Sequence, residues 1–184
     1  DRVSYGWIDS SGSGTPLNLS DDSGASVSLP FNFIFYGQSR TSIWVCSNGF
    51  AQFGDSDNSY SNSSLPNGNM GHMLVPFWRD LNPANGGQIY YQSLPAQHIF
   101  VVSWVDVPYY PDTGSNTFQI ILYDQDYYSS VTGDGHVVFQ YNETNNYNTC
   151  TIGVQNGSTA VQYVYNDNYD SDALALSNGK ALHV

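Results

Sequence analysis

The sequence predicts an all-β fold, an antiparallel β-sandwich of jelly-roll-like type with roughly ten strands and little or no helix. Apolar and polar residues alternate along most of the 184 residues, as half-buried strands require. Clusters of Gly, Asn, Asp, Ser and Pro separate the alternating runs, and these residue types favour turns. Residues that form surface helices are scarce, since the chain has one lysine, Lys180, and one glutamate, Glu143.

The first half of the chain supplies four predicted strands. Residues 27–36 place an apolar side chain at nearly every second position. Residues 43–53 continue this pattern, but Ser47-Asn48-Gly49 interrupts it, and we predict a tight turn there because Asn and Gly accept a positive φ. Residues 71–78 are a short apolar run that ends in charged residues, and residues 86–92 follow a glycine-rich turn.

The second half supplies six more predicted strands, at residues 98–107, 116–124, 136–142, 151–156, 160–166 and 179–184. The first of these is almost continuously apolar, which indicates the most deeply buried strand. The turn between the fourth and the fifth carries Asn156-Gly157, a strong hairpin signal. A single helical turn is considered only at residues 168–176. No shift in composition marks a boundary, so residues 1–184 are predicted to form one domain.

The charge balance excludes several kinds of partner. The chain carries 4 basic and 16 acidic residues, a formal net charge of −12, and charged residues are only 11% of the total. A nucleic-acid partner needs a basic surface to neutralise phosphates, and this chain has none. An anionic membrane surface is disfavoured for the same reason, and no apolar run is long enough to insert into a membrane. The polar, weakly charged composition is typical of secreted β-proteins, so an extracellular or cell-surface location is predicted.

Two cysteines, Cys46 and Cys150, lie far apart in the sequence. In a polar chain of secreted type such a pair most often forms one bridge, so a Cys46–Cys150 disulfide is predicted. Two buried thiols are the alternative. The Cys-x-x-Cys spacing of zinc sites is absent.

Three long stretches resemble a known family when they are taken together. They are "LPFNFIFYGQSRTSIWVCSNGFAQFG" at residues 29–54, "LPNGNMGHMLVPFWRDLNP" at 65–83 and "FVVSWVDVPYYPDTGSNTFQIILYD" at 100–124. Their order, with "GHVVFQYN" and "TIGVQN" behind them, resembles the extracellular β-sandwich modules of the nidogen-like (NIDO) type. It is similar above all to the related bacterial modules of secreted multidomain proteins. The resemblance implies a non-catalytic role in adhesion, matrix assembly or accessory support, and it carries no catalytic residues over.

The sequence contains no clear catalytic pattern. A glycosidase of the usual kind needs two carboxyl groups at a fixed separation, and here only aspartates such as Asp80 and Asp106 are available. We interpret Arg79-Asp80 instead as a strand-end turn with an ion pair. No Gly-x-Ser-x-Gly motif marks a serine nucleophile. Four scattered histidines are expected to be solvated edge residues: His72, His98, His136 and His183.

Calcium is the metal that the composition favours, because Ca²⁺ prefers carboxylate and carbonyl oxygens. Two Asp-rich loops supply Asp-x-Asp pairs whose carboxylates point to one side of an extended segment. The candidate ligands are Asp55, Asp57, Asp124, Asp126 and Asp134. Neither loop completes an EF-hand, and simple solvated turns are the alternative.

Tyrosines in loops indicate a candidate ligand surface for a protein or a glycan. Exposed aromatic rings offer a flat stacking face, and short acidic side chains beside them accept hydrogen bonds. The candidate residues are Tyr60, Tyr109, Tyr110, Asp112, Tyr127 and Tyr128. Packing of these rings on neighbouring loops is the alternative.

Four Asn-x-Ser/Thr sequons are candidate N-glycosylation sites in a host that glycosylates: Asn18, Asn62, Asn142 and Asn156. Several such sequons arise by chance in a chain so rich in Asn and Ser. They would place glycans on surface loops.

Three functional hypotheses follow from these patterns. The first is a secreted, non-enzymatic module for adhesion or accessory support that binds a protein or a glycan. The second is a self-assembling subunit of a fibre or sheath, in which residues 1–8 and 179–184 are exchanged between copies. The third is a hydrolase, although no sequence motif supports this hypothesis.

Overall fold

Two antiparallel sheets form the fold in a computed structural model that describes residues 3–145, 149–166, 168–169 and 177–184. The described residues contain no α-helix. The strands are β1 (Thr15–Pro16), β2 (Gly24–Phe35), β3 (Gln38–Cys46), β4 (Phe50–Phe53), β5 (His72–Trp78), β6 (Gln88–Leu94), β7 (Ile99–Tyr109), β8 (Thr113–Tyr123), β9 (Val137–Glu143), β10 (Thr151–Asn156), β11 (Ala160–Tyr165), β12 (Asn168–Tyr169) and β13 (Lys180–His183).

The first sheet has the strand order β1-β6-β7-β8-β9-β13, and the second has the order β12-β11-β10-β5-β4-β3-β2. Consecutive hairpins build most of each sheet. Along the described strands the chain changes sheet four times, between β1 and β2, between β5 and β6, between β9 and β10 and between β12 and β13. The prediction of an all-β antiparallel sandwich is confirmed. The number of strands is higher than expected for two reasons. The two-residue strands β1 and β12 were not predicted, and the run predicted as one strand at 43–53 spans parts of both β3 and β4.

The two turns predicted from Asn-Gly pairs are both present. Ser47-Asn48-Gly49 joins β3 to β4 with Cys46 paired to Phe50, and Gly49 has a φ of 76°. Asn156-Gly157 lies in the hairpin between β10 and β11. The helical turn considered at 168–176 is wrong for residues 168–169, which pair with β11, and its remainder lies outside the described residues.

The main core lies between the two sheets. It includes Phe118 and Trp104 from the first sheet, which stack with ring centroids 5.0 Å apart, and Phe77 from the second. Inward residues of β2, such as Phe33 and Phe35, close the core at its edge. Inward-facing residues of β2 alternate with more exposed ones, whereas β8 is buried from Asn116 to Leu122 and therefore on both of its faces.

Smaller apolar clusters cover parts of both outer faces. On the first sheet, Val101 and Ile121 pack beneath Tyr5 and Ile8 of the N-terminal segment, which explains why β7 is apolar on both faces. On the second sheet, residues 55–70 form a covering loop whose Leu65 and Met70 pack on a cluster that includes Trp78. Hydrogen bonds hold this loop in place, since Trp78 Nε1 donates to the Ser59 carbonyl over 2.8 Å.

The predicted Cys46–Cys150 disulfide is not present in the structure. Cys46 packs in the outer cluster with Phe50 and Trp78, whereas Cys150 packs in the main core between the sheets. The turn after β3 fixes which face Cys46 occupies, and the two sulfurs therefore belong to different apolar clusters. Burial raises the pKa of the Cys46 thiol to about 12 and raises that of Cys150 as well, so both remain protonated thiols at neutral pH.

A comparison of two glycines tests the close packing of the β3–β4 turn. Gly49 and Gly37 both have positive φ, but a Cβ on Gly49 would lie 2.0 Å from the Phe77 carbonyl oxygen, whereas a Cβ on Gly37 would meet nothing within 4 Å. We expect Gly37→Ala to cost about 1 kcal/mol of unfolding free energy from backbone strain alone. Gly49→Ala should cost about 1–3 kcal/mol more because the Phe77 strand must move. Urea unfolding measures both values, and equal losses would contradict the close approach.

Candidate functional site

Five residues from separate loops line a cleft of about 330 Å³ at one end of the sandwich: Asp21, Asp22, Tyr60, Asp80 and Tyr110. We call it the acidic cleft. Asp21 and Asp22 share the loop before β2, and Tyr60 belongs to the covering loop. Asp80 follows β5, and Tyr110 follows β7. Loops positioned by a rigid sandwich are where binding sites commonly lie.

The buried amide of Asn48 organises one wall of the cleft. Its Nδ2 donates to Asp22 Oδ1 over 2.8 Å and to the Asn58 carbonyl over 3.1 Å, while its Oδ1 accepts the Leu81 N–H over 2.9 Å. Asn48 is fully buried, at 0% exposure, and these three bonds come from three different segments. One side chain therefore fixes the loop before β2, the covering loop and the segment after β5 relative to one another.

The segment after β5 positions Tyr110 beside Asp80. The Tyr110 N–H donates to the Asp80 carbonyl over 3.1 Å, and Leu81 forms an isolated bridge with Tyr109. These contacts cross from the second sheet to the first. They bring the aromatic ring of Tyr110 to the same cleft as the Asp80 carboxylate.

The ion pair predicted between Arg79 and Asp80 does not occur. Arg79 NH1 donates to the Thr149 carbonyl over 2.9 Å, and its guanidinium lies 5.4 Å from the centre of the Tyr109 ring. The Arg79 guanidinium therefore contacts Tyr109 and Thr149, and its charge offsets only part of the rise in the pKa of Asp80. Asp80 therefore faces the cleft without the guanidinium paired to it.

Three carboxylates crowd the floor of the cleft. One oxygen from each of Asp21, Asp22 and Asp80 lies within 4.8 Å of the others. Burial raises the pKa of Asp80, and the charges of Asp22 and Asp21 raise it further. Burial and the charge of Asp22 likewise raise the pKa of Asp21, whose Oδ1 is buried without a hydrogen-bond partner. Such a floor favours a cationic group or a hydrogen-bond donor as its ligand.

The predicted tyrosine surface divides into separate parts. Tyr60 and Tyr110 are each 55% exposed and flank the carboxylates, so the structure brings these two of the six candidate residues together. A ligand-binding role for them remains a prediction. Tyr109 is a core residue at 7% exposure, and its hydroxyl donates to the Asn145 carbonyl. Asp112 is exposed in the β7–β8 turn and does not line the cleft.

Tyr127 and Tyr128 lie elsewhere, on the loop after β8. The ring of Tyr127, which is 64% exposed, stacks on His98 with centroids 4.0 Å apart. Tyr128 packs edge-on against Tyr123, and its hydroxyl donates to the Gln97 carbonyl. This second aromatic patch has no cleft with gathered carboxylates.

The aspartates predicted to bind calcium do not gather into one group. Asp57 Oδ1 accepts the Ser59 N–H, Asp124 Oδ1 accepts the Asp126 N–H, and Asp134 Oδ1 accepts the Gly37 N–H. Asp55 lies against Gly71. Within the described ranges, the acids that bring three carboxylates together are Asp21, Asp22 and Asp80. Calcium binding remains a prediction, and hard oxygen ligands for it are densest in the acidic cleft.

The four sequons differ in how their amide groups are engaged. Asn62 Nδ2 donates to the Thr149 carbonyl and to Thr151 Oγ1, so a glycan on this nitrogen would displace at least one bond. Asn18 and Asn142 are exposed. Asn156 Oδ1 accepts the N–H groups of Ser158 and Thr159 in its hairpin, which leaves its own amide nitrogen outside those bonds. Glycosylation remains a prediction at all four.

Sequence reasoning missed Asp21, Asp22 and Asn48 as parts of one site. The only local signal was the adjacent acidic pair in "SDDSG", which reads equally well as a turn. Their contact with Asp80 depends on how the chain crosses between sheets, and a single sequence does not encode that crossing in any short motif.

The fold and the cleft together define a β-sandwich that gathers acidic and aromatic side chains on loops at one end. The chain belongs to the NIDO-related family, whose profile matches residues 3–181. The resemblance drawn from the sequence motifs is thereby confirmed. The described part of the chain holds no helix with the length and apolar character that crossing a membrane requires.

Curated relatives are longer proteins of which this chain matches a small part. Alpha-tectorin of Mus musculus is 23% identical over 153 residues, which covers 69% of this chain and 7% of that protein. Dendrite extension defective protein 1 of Caenorhabditis elegans is 33% identical over 73 residues, which covers 40% of this chain and 6% of that protein. No solved structure matches significantly.

The crowding of carboxylates predicts an unusual pH dependence of stability. Because the pKa of Asp80 is raised in the folded state, its ionisation costs stability at neutral pH, and that cost disappears as the pH falls through the raised pKa. We expect Asp80→Asn to be more stable than the parent protein at pH 7 in metal-free buffer. The difference should shrink toward about pH 4, near the ordinary pKa of Asp.

Urea unfolding of both proteins across this pH range measures the difference. Asp112→Asn is the matched control, because Asp112 is an exposed acid outside the cleft. A loss of stability in Asp80→Asn at pH 7, or the same pH profile in the control, would contradict mutual repulsion in the cleft.

Proposed function

We propose that this chain is a non-catalytic extracellular module that binds a matrix partner through the acidic cleft. Membership of the NIDO-related family and the similarity to alpha-tectorin support an extracellular setting. The single observation that carries the binding role is the pairing of two half-exposed tyrosines, Tyr60 and Tyr110, with three clustered carboxylates.

The chemistry of the cleft favours a basic side chain of a partner protein. Lysine and arginine donate hydrogen bonds to carboxylates, and they also lie well over the face of an aromatic ring. The unpartnered Oδ1 of Asp21 and the raised pKa of Asp80 are both relieved by a cation at that position. A glycan could stack on the same tyrosines, but it would leave the clustered negative charge uncompensated.

Catalysis is the weaker alternative. Hydrolysis of a glycosidic bond requires one protonated and one ionised carboxyl group on opposite sides of the scissile bond. The three cleft carboxylates instead converge, with oxygens within 4.8 Å of one another. Asp106, the other candidate acid, accepts hydrogen bonds from Thr117 and Ser115 and does not line the cleft.

Self-assembly is a second candidate function, supported by the long edge strand β2. No other described strand pairs with its outer edge, and unpaired strand edges can add a strand from another copy. Side-chain and backbone bonds from Gln125 and Gly135 cover part of that edge, near Asn32 and Ile34. The segment 180–183 pairs with β9 of its own chain, which weakens the idea that it is exchanged.

A titration with two chemically different probes tests the proposal. Tetralysine and a neutral tetrasaccharide, cellotetraose, are each added to the ¹⁵N-labelled protein, and backbone amide shifts are followed by NMR. We expect tetralysine to shift amides around Asp22, Asp80 and Tyr110. Tyr60→Ala and Tyr110→Ala should each weaken binding about fivefold, the equivalent of about 1 kcal/mol for a cation–π contact.

Tyr127→Ala is the matched control, since Tyr127 is also an exposed tyrosine, at 64%, but lies outside the cleft. Repeating the titration with Ca²⁺ and with a chelator shows whether calcium competes for the same carboxylates. Shifts confined to the cleft with cellotetraose alone would favour a glycan ligand. No cleft shifts with either probe would contradict the proposed binding role.

A further inference from the structure

Two of the four histidines of the chain meet at the far edge of the first sheet. His136 lies just before β9 and His183 ends β13, and His136 Nδ1 is 2.8 Å from His183 Nε2. The neighbouring strands hold the two residues in register, since His183 pairs with Val138 and the Val184 N–H donates to the Val137 carbonyl. The two nitrogens therefore face each other because of the backbone pairing between β9 and β13.

The other contact of His136 indicates its tautomer. Its Nε2 lies 3.4 Å from the Ser129 carbonyl oxygen, which can only accept, so this contact favours the tautomer with the proton on Nε2. The Nδ1 of neutral His136 is then a lone pair directed at His183. In the absence of another ligand, His183 donates its Nε2 proton to that lone pair.

The distance between these nitrogens matches a pair of metal ligands in adjacent coordination positions. Histidine nitrogens bind such ions at about 2.0–2.1 Å. Two of these ligands lie about 2.9 Å apart at the right angle of a square-planar Cu²⁺ or Ni²⁺ site and about 3.4 Å apart at the tetrahedral angle of Zn²⁺. We propose that His136 and His183 form a two-histidine chelate for a divalent transition-metal ion that prefers imidazole, namely Cu²⁺, Ni²⁺ or Zn²⁺. On binding, the hydrogen bond between the two rings breaks and His183 shifts its proton from Nε2 to Nδ1. Both rings then turn so that the two lone pairs converge on an ion to one side of the line that joins the nitrogens.

The surroundings leave room for the remaining ligands of such an ion. Open spaces of about 310 Å³ and 190 Å³ adjoin the two rings, and water molecules can enter both. Asp134 lines the larger space and adds a nearby negative charge.

The other two histidines lack this arrangement and serve as references. His98 stacks on Tyr127, and the nearest carboxylate is Asp124 at 4.0 Å. His72 packs against the rings of Phe35 and Tyr36. Among the described residues, neither of these rings packs against a second histidine. His98→Gln is therefore a matched control for the loss of one imidazole.

Calorimetric titration of the full chain with NiCl₂, CuCl₂ and ZnCl₂ in a non-chelating buffer tests the proposal. We expect one ion per chain for at least one of the three metals. His136→Gln and His183→Gln should each weaken binding about tenfold or more, and His98→Gln should leave it within about twofold. The bound ion should also raise the thermal midpoint of the parent protein, because it ties β13 to β9.

A second measurement does not depend on how the variants fold. Substoichiometric Ni²⁺ or Cu²⁺ should broaden the side-chain NMR signals of His136 and His183 first in the parent protein, while CaCl₂ should leave them unchanged. Broadening that begins at His98 or at the acidic cleft would overturn the proposal. So would titrations in which no metal binds stoichiometrically, or in which the two chelate variants bind as tightly as His98→Gln.

Discussion

The buried amide of Asn48 makes the contacts on which the end of the sandwich with the acidic cleft depends. Its side-chain oxygen accepts the Leu81 N–H, and its side-chain nitrogen donates to Asp22 and to the Asn58 carbonyl in the covering loop. The backbone carbonyl of Asn48 also accepts the Arg79 N–H. A buried amide in such a position is costly unless every bond is made, and here both of its ends are used. Gly49 is required next to it, because only a residue without a Cβ lets the turn approach the Phe77 carbonyl this closely.

The sheets and the loops have different roles in this structure. The two sheets and the clusters on their outer faces fix where the loops begin and end, and the loops then carry charge and aromatic rings to one end of the sandwich. The three converging carboxylates repel one another electrostatically. This repulsion lowers the unfolding free energy, and a cationic ligand would relieve it.

The period-two pattern and the Asn-Gly turns were sufficient to predict the sheets, because each depends on neighbours in sequence. The alternation of β2 and the hairpin at Asn156-Gly157 are examples of such local information. The Cys46–Cys150 disulfide was wrong because the two residues join different apolar clusters, which depends on how the sheets stack. The sequence analysis named Tyr60 and Tyr110 as candidate ligand residues but did not place them with the three carboxylates of the acidic cleft. Those carboxylates come from loops that no short motif links.

Native-state hydrogen exchange of Asn48→Ala against the parent protein tests the central claim most directly. If Asn48 holds the binding end together, the Leu81 and Tyr110 amides should lose much of their protection in the variant. Amides in the centre of β7 and β8, such as those of Val102 and Ile120, should lose only as much as global stability requires. Unchanged protection at Leu81 and Tyr110, or a uniform loss across both sheets, would contradict the account.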